Sequence, residues 1–403
     1  MATRKGVHTL DSLLLALDKY YEEMVSIRRY LHANPELSFE EVNTPKYIAN
    51  FHRELGLEVR EGVGGRGVVA VLRGGKPGKT VALRADFDAL PIQEENDIPY
   101  KSKVDGVMHA CGHDGHTATL LILAKALYEM RESICGNVVF IHQFAEEVLP
   151  GGAKPMIEDG CLDGVDVIFG THLWAPTPLG EIHVKNGAIM AAPDMFEVTI
   201  QGKGGHGAEP HNAVDAIVLG AQYVSQVQTI VSRRISPLKH AVVTVGQFEA
   251  GKAYNIIAEK ATMKGTVRTF DEDVRIQIEK ELESLAKSIC DGANATYEFT
   301  YTRGYPPVVN HPEETALLAD VAMDVPEVKE VKECVPLMVG EDFAYYLQKV
   351  PGTFFITGAK HPDWETAYPH HHPKFNFDER AMLIAAKTMG LATLKYLETF
   401  CNK

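Results

Sequence analysis

Val138-Val139-Phe140-Ile141-His142-Gln143-Phe144-Ala145-Glu146-Glu147 is an apolar run closed by two adjacent acids. A short run of β-branched and aromatic residues suits a buried strand. Acids at the carboxyl end of such a strand stand where α/β sheets place their sites. A solvated loop would carry two acids equally well, so the pair alone leaves both readings open.

The pattern around this run extends it into a layered domain. Apolar segments at 67–72, 81–85 and 167–171 are bounded by Gly or Pro and read as further buried strands. Helical patterns cover 10–32, a stretch opening at Thr44-Pro45, and 116–130. Strands alternating with helices predict an α/β catalytic domain with a mostly parallel central sheet. The middle of the chain differs. Phe196, Val198 and Ile200 alternate with polar residues, a helical stretch covers 212–234, and strand patterns follow at 242–248 and 263–270. A charged helix at 271–291 precedes a strand with Tyr297, Phe299 and Tyr301 on one face. This β-α-β-β-α-β order predicts a ferredoxin-like α+β domain. It would be inserted at 191–304, dividing a first domain of 1–190 and 305–403.

The composition fits this division. The chain has 403 residues, 45% apolar and 23% charged, enough to bury a sizeable core. Its net charge is −14 with no basic run, a poor match for nucleic acid or an anionic membrane. No stretch approaches the roughly 18 apolar residues of a membrane span. The six cysteines are sparse, which argues against a disulfide framework. The N-terminal apolar segment is interrupted by Asp11 and reads as an amphipathic helix, and Cys401-Asn402-Lys403 is no retention or lipidation signal. The expectation is a reduced, cytoplasmic protein.

Four segments carry chemistry. His109-Ala110-Cys111-Gly112-His113-Asp114-Gly115-His116 gathers one Cys and three His before an apolar helix. Thiolate and imidazole are usual metal ligands, although a capped helix start with incidental histidines has the same appearance. The Glu146-Glu147 pair is second. Gly170-Thr171-His172 ends the next apolar run, where a lone His is commonly structural. Tyr368-Pro369-His370-His371-His372-Pro373 is a loop with three consecutive histidines. Together they offer the Cys, His and Glu inventory of a two-metal hydrolytic centre.

Five ordered segments then carry a resemblance over nearly the whole chain. They are Ile27 to Leu37, Leu83-Arg84-Ala85-Asp86-Phe87-Asp88-Ala89-Leu90-Pro91, the Cys111-Gly112-His113 segment, Gly204-Gly205-His206-Gly207-Ala208-Glu209-Pro210-His211, and Gly340-Glu341-Asp342-Phe343-Ala344. The chain resembles the amidohydrolase branch of the aminoacylase and glutamate-carboxypeptidase superfamily of di-metal enzymes. That branch includes hippurate hydrolases, N-acyl-L-amino-acid amidohydrolases and indoleacetyl-amino-acid hydrolases. The resemblance implies that Cys111, His113, Glu147, His172 and His371 hold two divalent metal ions. Manganese, zinc, cobalt and nickel all suit such a mixed set. His371 is selected as the histidine two places before Pro373, and His370 and His372 are left without a role. Glu146 would be the general base, His206 on the inserted domain the oxyanion donor, and Asn255 and Arg268 the substrate contacts. Where other members have a metal-binding His before x-Asp, this chain has Arg84, which cannot ligate a cation. Asp86 remains as a candidate acceptor that orients a His ligand, with a plain turn Asp as the alternative.

The implied reaction is hydrolysis of an N-acyl-L-amino acid by a metal-activated water, releasing a carboxylic acid and a free amino acid. Arg268 offers a planar fork suited to the α-carboxylate. The partner would be this small molecule alone, and relatives imply a homodimer or tetramer formed through the inserted domain. A dipeptidase or carboxypeptidase uses the same parts. A cysteine hydrolase with Cys111 as nucleophile and a non-catalytic binding protein are further alternatives.

Overall fold

The computed structural model describes residues 3–401. Asn402 and Lys403, part of the C-terminal reading above, lie outside the described residues, as do Met1 and Ala2. Two compact units divide the chain. The first comprises Met1–Gly187, Val309–Val335 and Asp342–Lys403, the second Ala188–Val308 with Pro336–Glu341.

An eight-stranded sheet organises the first unit. Its spatial order is Glu58–Val63, Gly67–Arg73, Cys135–Gln143, Lys76–Asp86, Val167–Pro178, Gly352–Lys360, Glu181–Val184 and Glu330–Glu333. The four central strands run parallel. The pairings at Glu58–Val63 with Gly67–Arg73, at Gly67–Arg73 with Cys135–Gln143, and at Gly352–Lys360 with Glu181–Val184 are antiparallel. A mostly parallel sheet is covered on both faces, so its strands are buried almost continuously. Cys135–Gln143 is buried at every position but Asn137. Helices His113–Glu129 and Arg380–Thr399 are apolar on nearly all sides and pack on each other.

Several local expectations shift. The pattern at 10–32 is two helices, Thr3–Lys19 and Tyr21–Ala33, parted at Tyr20. The next helix, Asn43–Glu54, starts ahead of Thr44-Pro45. Its free first-turn amides explain the start: Val42, Asn43 and Thr44 N–H all donate to the Glu36 carboxylate at 2.8–3.0 Å. The strand thought to end at His172 continues to Pro178, because its register with Gly352–Lys360 continues through Trp174. Glu58–Val63 carried no apolar signal, being an exposed edge strand with charges at Glu58, Arg60 and Glu61. The expectation of six reduced cysteines is corrected at one place. Cys135, opening a central strand, and Cys401, just beyond the last helix, form a disulfide with Cα atoms 5.4 Å apart. Cys111, Cys161, Cys290 and Cys334 are free thiols.

The second unit is an antiparallel four-stranded sheet, in the order Ala241–Ala250, Lys260–Thr269, Ala192–Gln201 and Thr296–Thr302. Helices Ala216–Thr229 and Glu272–Ala293 complete the ferredoxin-like order. Val198, Ile200, Tyr223, Met263, Ile278 and Leu282 fill its core. Asp215 and Asp271 cap the two helices through first-turn amides. The first of these helices is shorter than the 212–234 pattern, giving way to a π-turn at Ile230–Arg234. Among the described residues, no helix is long and apolar enough to cross a membrane.

Candidate metal centre

The centre lies in the first unit, where the chain brings together five segments distant in sequence. Gly112, at φ +95°, turns the chain into the helix that begins at His113. A side chain would be strained in that left-handed conformation, so Gly suits the turn between Cys111 and His113. The His113 Nδ1–H donates to the Asp88 backbone oxygen at 3.0 Å and to its carboxylate at 3.1 Å. This fixes the ring and leaves Nε2, which is buried and has no hydrogen-bond partner. The His172 Nδ1–H likewise donates to the Leu173 oxygen at 2.9 Å, and its Nε2 lies 3.5 Å from Cys111 Sγ. His371 is held at φ +66° by its amide, which donates to the Ala110 oxygen. Its Nε2 lies 3.2 Å from Glu147 Oε1.

The two adjacent glutamates would leave one straight strand on opposite sides. Here the strand ends at Gln143, and Ala145 takes a left-handed φ of +49°. After that bend, one oxygen each of Glu146 and Glu147 and a ring nitrogen of His113 lie within 4.8 Å of one another. Cys111 with His113 and His172, and Cys111 with Glu147 and His371, form two further groups of that compactness. Thiol, imidazole and carboxylate donors so arranged, with His113 Nε2 and Glu147 Oε1 buried and lacking hydrogen-bond partners, fit divalent transition metals.

Electrostatics point the same way. Burial, then the charges of Glu147, Glu146 and Asp86, pushes the Cys111 thiol far above its ordinary range. A nucleophilic cysteine needs the opposite shift. Burial opposes a charge on His113, but Asp86, Asp88 and Glu147 outweigh it and push the ring up to about 10. Such a pocket has a surplus of negative charge that a cation would neutralise. Burial and neighbouring histidines hold His172 well below its usual value.

Asp86 differs from expectation in its partner. Its carboxylate accepts from His116 Nδ1–H at 2.6 Å and lies 3.8 Å from His113 Nε2, while Asp88 orients His113. His116 Nε2 in turn accepts the Leu173 amide at 3.0 Å, so Asp86 and His116 support the strand carrying His172. Arg84 is buried and donates to Asp86 at 2.5 Å and to Asp342 at 2.9 Å. His370, left without a role above, has Nδ1 3.8 Å from Cys111 Sγ and its ring 4.4 Å from Trp174. Asp88 was not singled out from the sequence, although its place two residues after Asp86 is a signal that could have marked it. The resemblance alone, through the place two before Pro373, set His371 apart from His370.

The remaining candidates belong to the second unit. His206 pairs with Ile256 in a short antiparallel ladder, and the Gly207 amide donates to the Asn255 oxygen at 2.9 Å. Thus His206 and Asn255 are neighbours. Both are exposed. Arg268 is half-buried and donates to the Met338 and Val267 oxygens at 3.2 and 3.0 Å.

Comparison with known proteins gives these features a family. Residues 82–395 match the model of peptidase family M20/M25/M40. YhaA of Bacillus subtilis, an amidohydrolase by name, is 56% identical over 380 residues, 94% of this chain and 96% of that protein. The N-acyl-L-amino acid amidohydrolase of Geobacillus stearothermophilus is 47% identical over 306 residues, 76% of this chain and 82% of that one. A crystal structure of the Bacillus subtilis YXEP protein, described as a dinuclear metal-binding peptidase, superposes with a TM-score of 0.83 at 36% identity, covering 95% of this chain and 99% of that chain. The chain belongs to the M20/M25/M40 peptidase family, whose amide-bond hydrolases include its near relatives.

Proposed function

We propose that the protein hydrolyses the amide bond of N-acyl-L-amino acids, with two divalent cations held by Cys111, His113, Glu147, His172 and His371. The observation that carries this reading is the convergence of Glu146 and Glu147 beside His113, one acid for a ligand and one for a base. Bound cations would polarise the scissile carbonyl and lower the pKa of the attacking water. Glu146, 7% exposed, accepts the proton of that water and passes it to the leaving nitrogen. Asp88 keeps His113 in the Nδ1–H tautomer, so Nε2 is the nitrogen available to a cation. His206 donates to the oxyanion and Arg268 pairs with the α-carboxylate, roles that come from the family resemblance.

The name of the Geobacillus relative supports an acyl group on the amine, and a 36% identical neighbour described as a peptidase supports a dipeptide as the alternative substrate. The two separate in one experiment. Metal-stripped protein is reloaded with manganese, zinc, cobalt or nickel and offered N-acetyl and N-benzoyl amino acids beside free dipeptides. Turnover of the acylated set, lost with chelator and regained with metal, is the expected result. Turnover of dipeptides alone would move the assignment to a dipeptidase. Activity unaffected by chelation would end the metal reading. We also infer a cytoplasmic homodimer formed through the second unit, whose outer strand Ala241–Ala250 exposes Val242 and Phe248. Light scattering on wild type and Phe248→Lys checks the association, and cell fractionation the location.

A further inference from the structure

We propose that Glu41 is a positioning residue for Glu146, acting through the backbone of Ala145. The inference rests on the reading of Glu146 as the general base.

Glu41 lies just before the Asn43–Glu54 helix, about a hundred residues ahead of the glutamate pair in sequence. It is 1% exposed. Its Oε1 accepts the Ala145 amide at 3.0 Å. Its Oε2 is buried without a hydrogen-bond partner, the Arg66 Nε standing 3.9 Å away. Burial, with the charge of Asp88 adding, pushes this carboxyl up to about 7. A buried carboxylate with one unmatched oxygen destabilises a fold unless something offsets it. For packing alone, an apolar residue of the same size would serve better.

What Glu41 holds is one of two left-handed non-glycine residues in the centre, the other being His371. Ala145 is left-handed at φ +49°, although it has a Cβ. Such a residue persists only where its surroundings over-determine it. Two bonds do so here: Ala145 N–H donates to Glu41, and Ala145 O accepts from Gly152 N–H at 3.1 Å. Gly152 itself admits no side chain, since a Cβ would stand 1.9 Å from the Phe144 oxygen. On the far side of Glu146, the Glu147 amide donates to Asp88 Oδ2 at 3.0 Å. Two buried carboxylates therefore grip the amides of Ala145 and Glu147, the residues on either side of the base. Asp88 also holds His113, so its loss would disturb a ligand directly. Among the described residues, Glu41 makes no hydrogen bond or ion pair with a proposed ligand, and its loss should be felt at Glu146 first.

The test compares Glu41→Met, which fills the space without an acceptor, with Glu41→Gln, which keeps an oxygen for the Ala145 amide. Both are full-length and metal-loaded, assayed on an N-acetyl amino acid, with Glu146→Gln alongside. Glu41→Met should lower kcat roughly 10–100-fold, the scale of a small misplacement of a catalytic group. KM and bound metal should stay within about two-fold. Glu41→Gln should recover most of the lost kcat. The proposal is overturned if Glu41→Met keeps kcat within about two-fold, if Glu41→Gln is as slow as Glu41→Met, or if the rate falls only in proportion to lost metal or folded protein. Should Glu41→Met not fold, Glu41→Gln against wild type decides alone: near-wild-type kcat supports the acceptor role, and a loss of tenfold or more contradicts it. An active Glu146→Gln removes the base, and this proposal with it. An inactive Glu146→Gln beside a fully active Glu41→Met removes the positioning role only.

Discussion

The two units treat their candidate residues in opposite ways. In the first, three of the five proposed ligands are fixed by a second contact: His113 by Asp88, His172 by the Leu173 oxygen and His371 by its amide on Ala110. Buried carboxylates support them, and Arg84 ties Asp86 to Asp342 behind them. In the second unit, His206 and Asn255 are exposed, and Arg268 donates to the carbonyl oxygens of Met338 and Val267. A centre that must hold cations has to be rigid, because ligand geometry sets affinity. Groups that meet a substrate can be presented on an accessible surface and gain their partners when it binds. The difference predicts that damage in the first unit removes metal or chemistry outright, whereas damage in the second weakens individual contacts.

The sharpest way to break that contrast is Glu146→Gln. It should cut kcat by about 10²–10⁴-fold or more, since a base is lost, while bound metal stays near the wild-type amount. Metal analysis and steady-state kinetics on the same preparation check it. If that variant loses its metal, the roles of Glu146 and Glu147 are exchanged. Next is His206→Ala, expected to lower kcat by about 10²–10³-fold, the scale for one oxyanion donor, with metal content and melting temperature unchanged. A loss of metal there would erase the division of labour between the units. Arg268→Ala should act mainly on KM, raising it roughly tenfold or more for substrates with a free α-carboxylate. Amidated substrates should be indifferent to the change, and equal effects on both would remove the carboxylate contact.

The difference between the units also governs what was legible beforehand. The ferredoxin-like order could be read because its strands alternate and its helices have one apolar stripe, as Thr296–Thr302 and Glu272–Ala293 show. The central strands could be read as apolar runs, but the charged edge strand Glu58–Val63 could not. The cysteine, histidine and glutamate ligand candidates stood out as chemistry-bearing types near strand ends. Their supports did not, because support is a matter of distance in space. Nothing in the chain between them announces that Glu41 reaches Ala145, that Asp88 meets His113 or that His116 meets Leu173. The Cys135–Cys401 pairing was hidden for the same reason, its partners being 266 residues apart.

The smallest expected effect concerns stability and comes from a histidine pair in the first unit. His52 and His142 are fully buried with their Nε2 atoms 2.9 Å apart, and both Nδ1 atoms lack hydrogen-bond partners. Burial lowers His52 to about 3, and burial, with the His52 ring adding, holds His142 well below its usual value. In the unfolded chain both rings take up protons near pH 6.5, and in the folded chain His52 does so only near 3. The unfolded state therefore binds more protons across that window. Stability falls as pH drops through it and is flat above it. Replacing both rings, His52→Leu with His142→Leu, removes this term along with the unmatched nitrogens. The drop in melting temperature between about pH 7.5 and about pH 5 should then shrink by roughly 4 °C. Contributions from every other group are common to the two proteins and cancel. Calorimetry at the two pH values checks it, and an unchanged drop would mean that the pair already titrates as free histidines do. The first unit would then be less rigid around this buried pair than the contrast with the second unit requires.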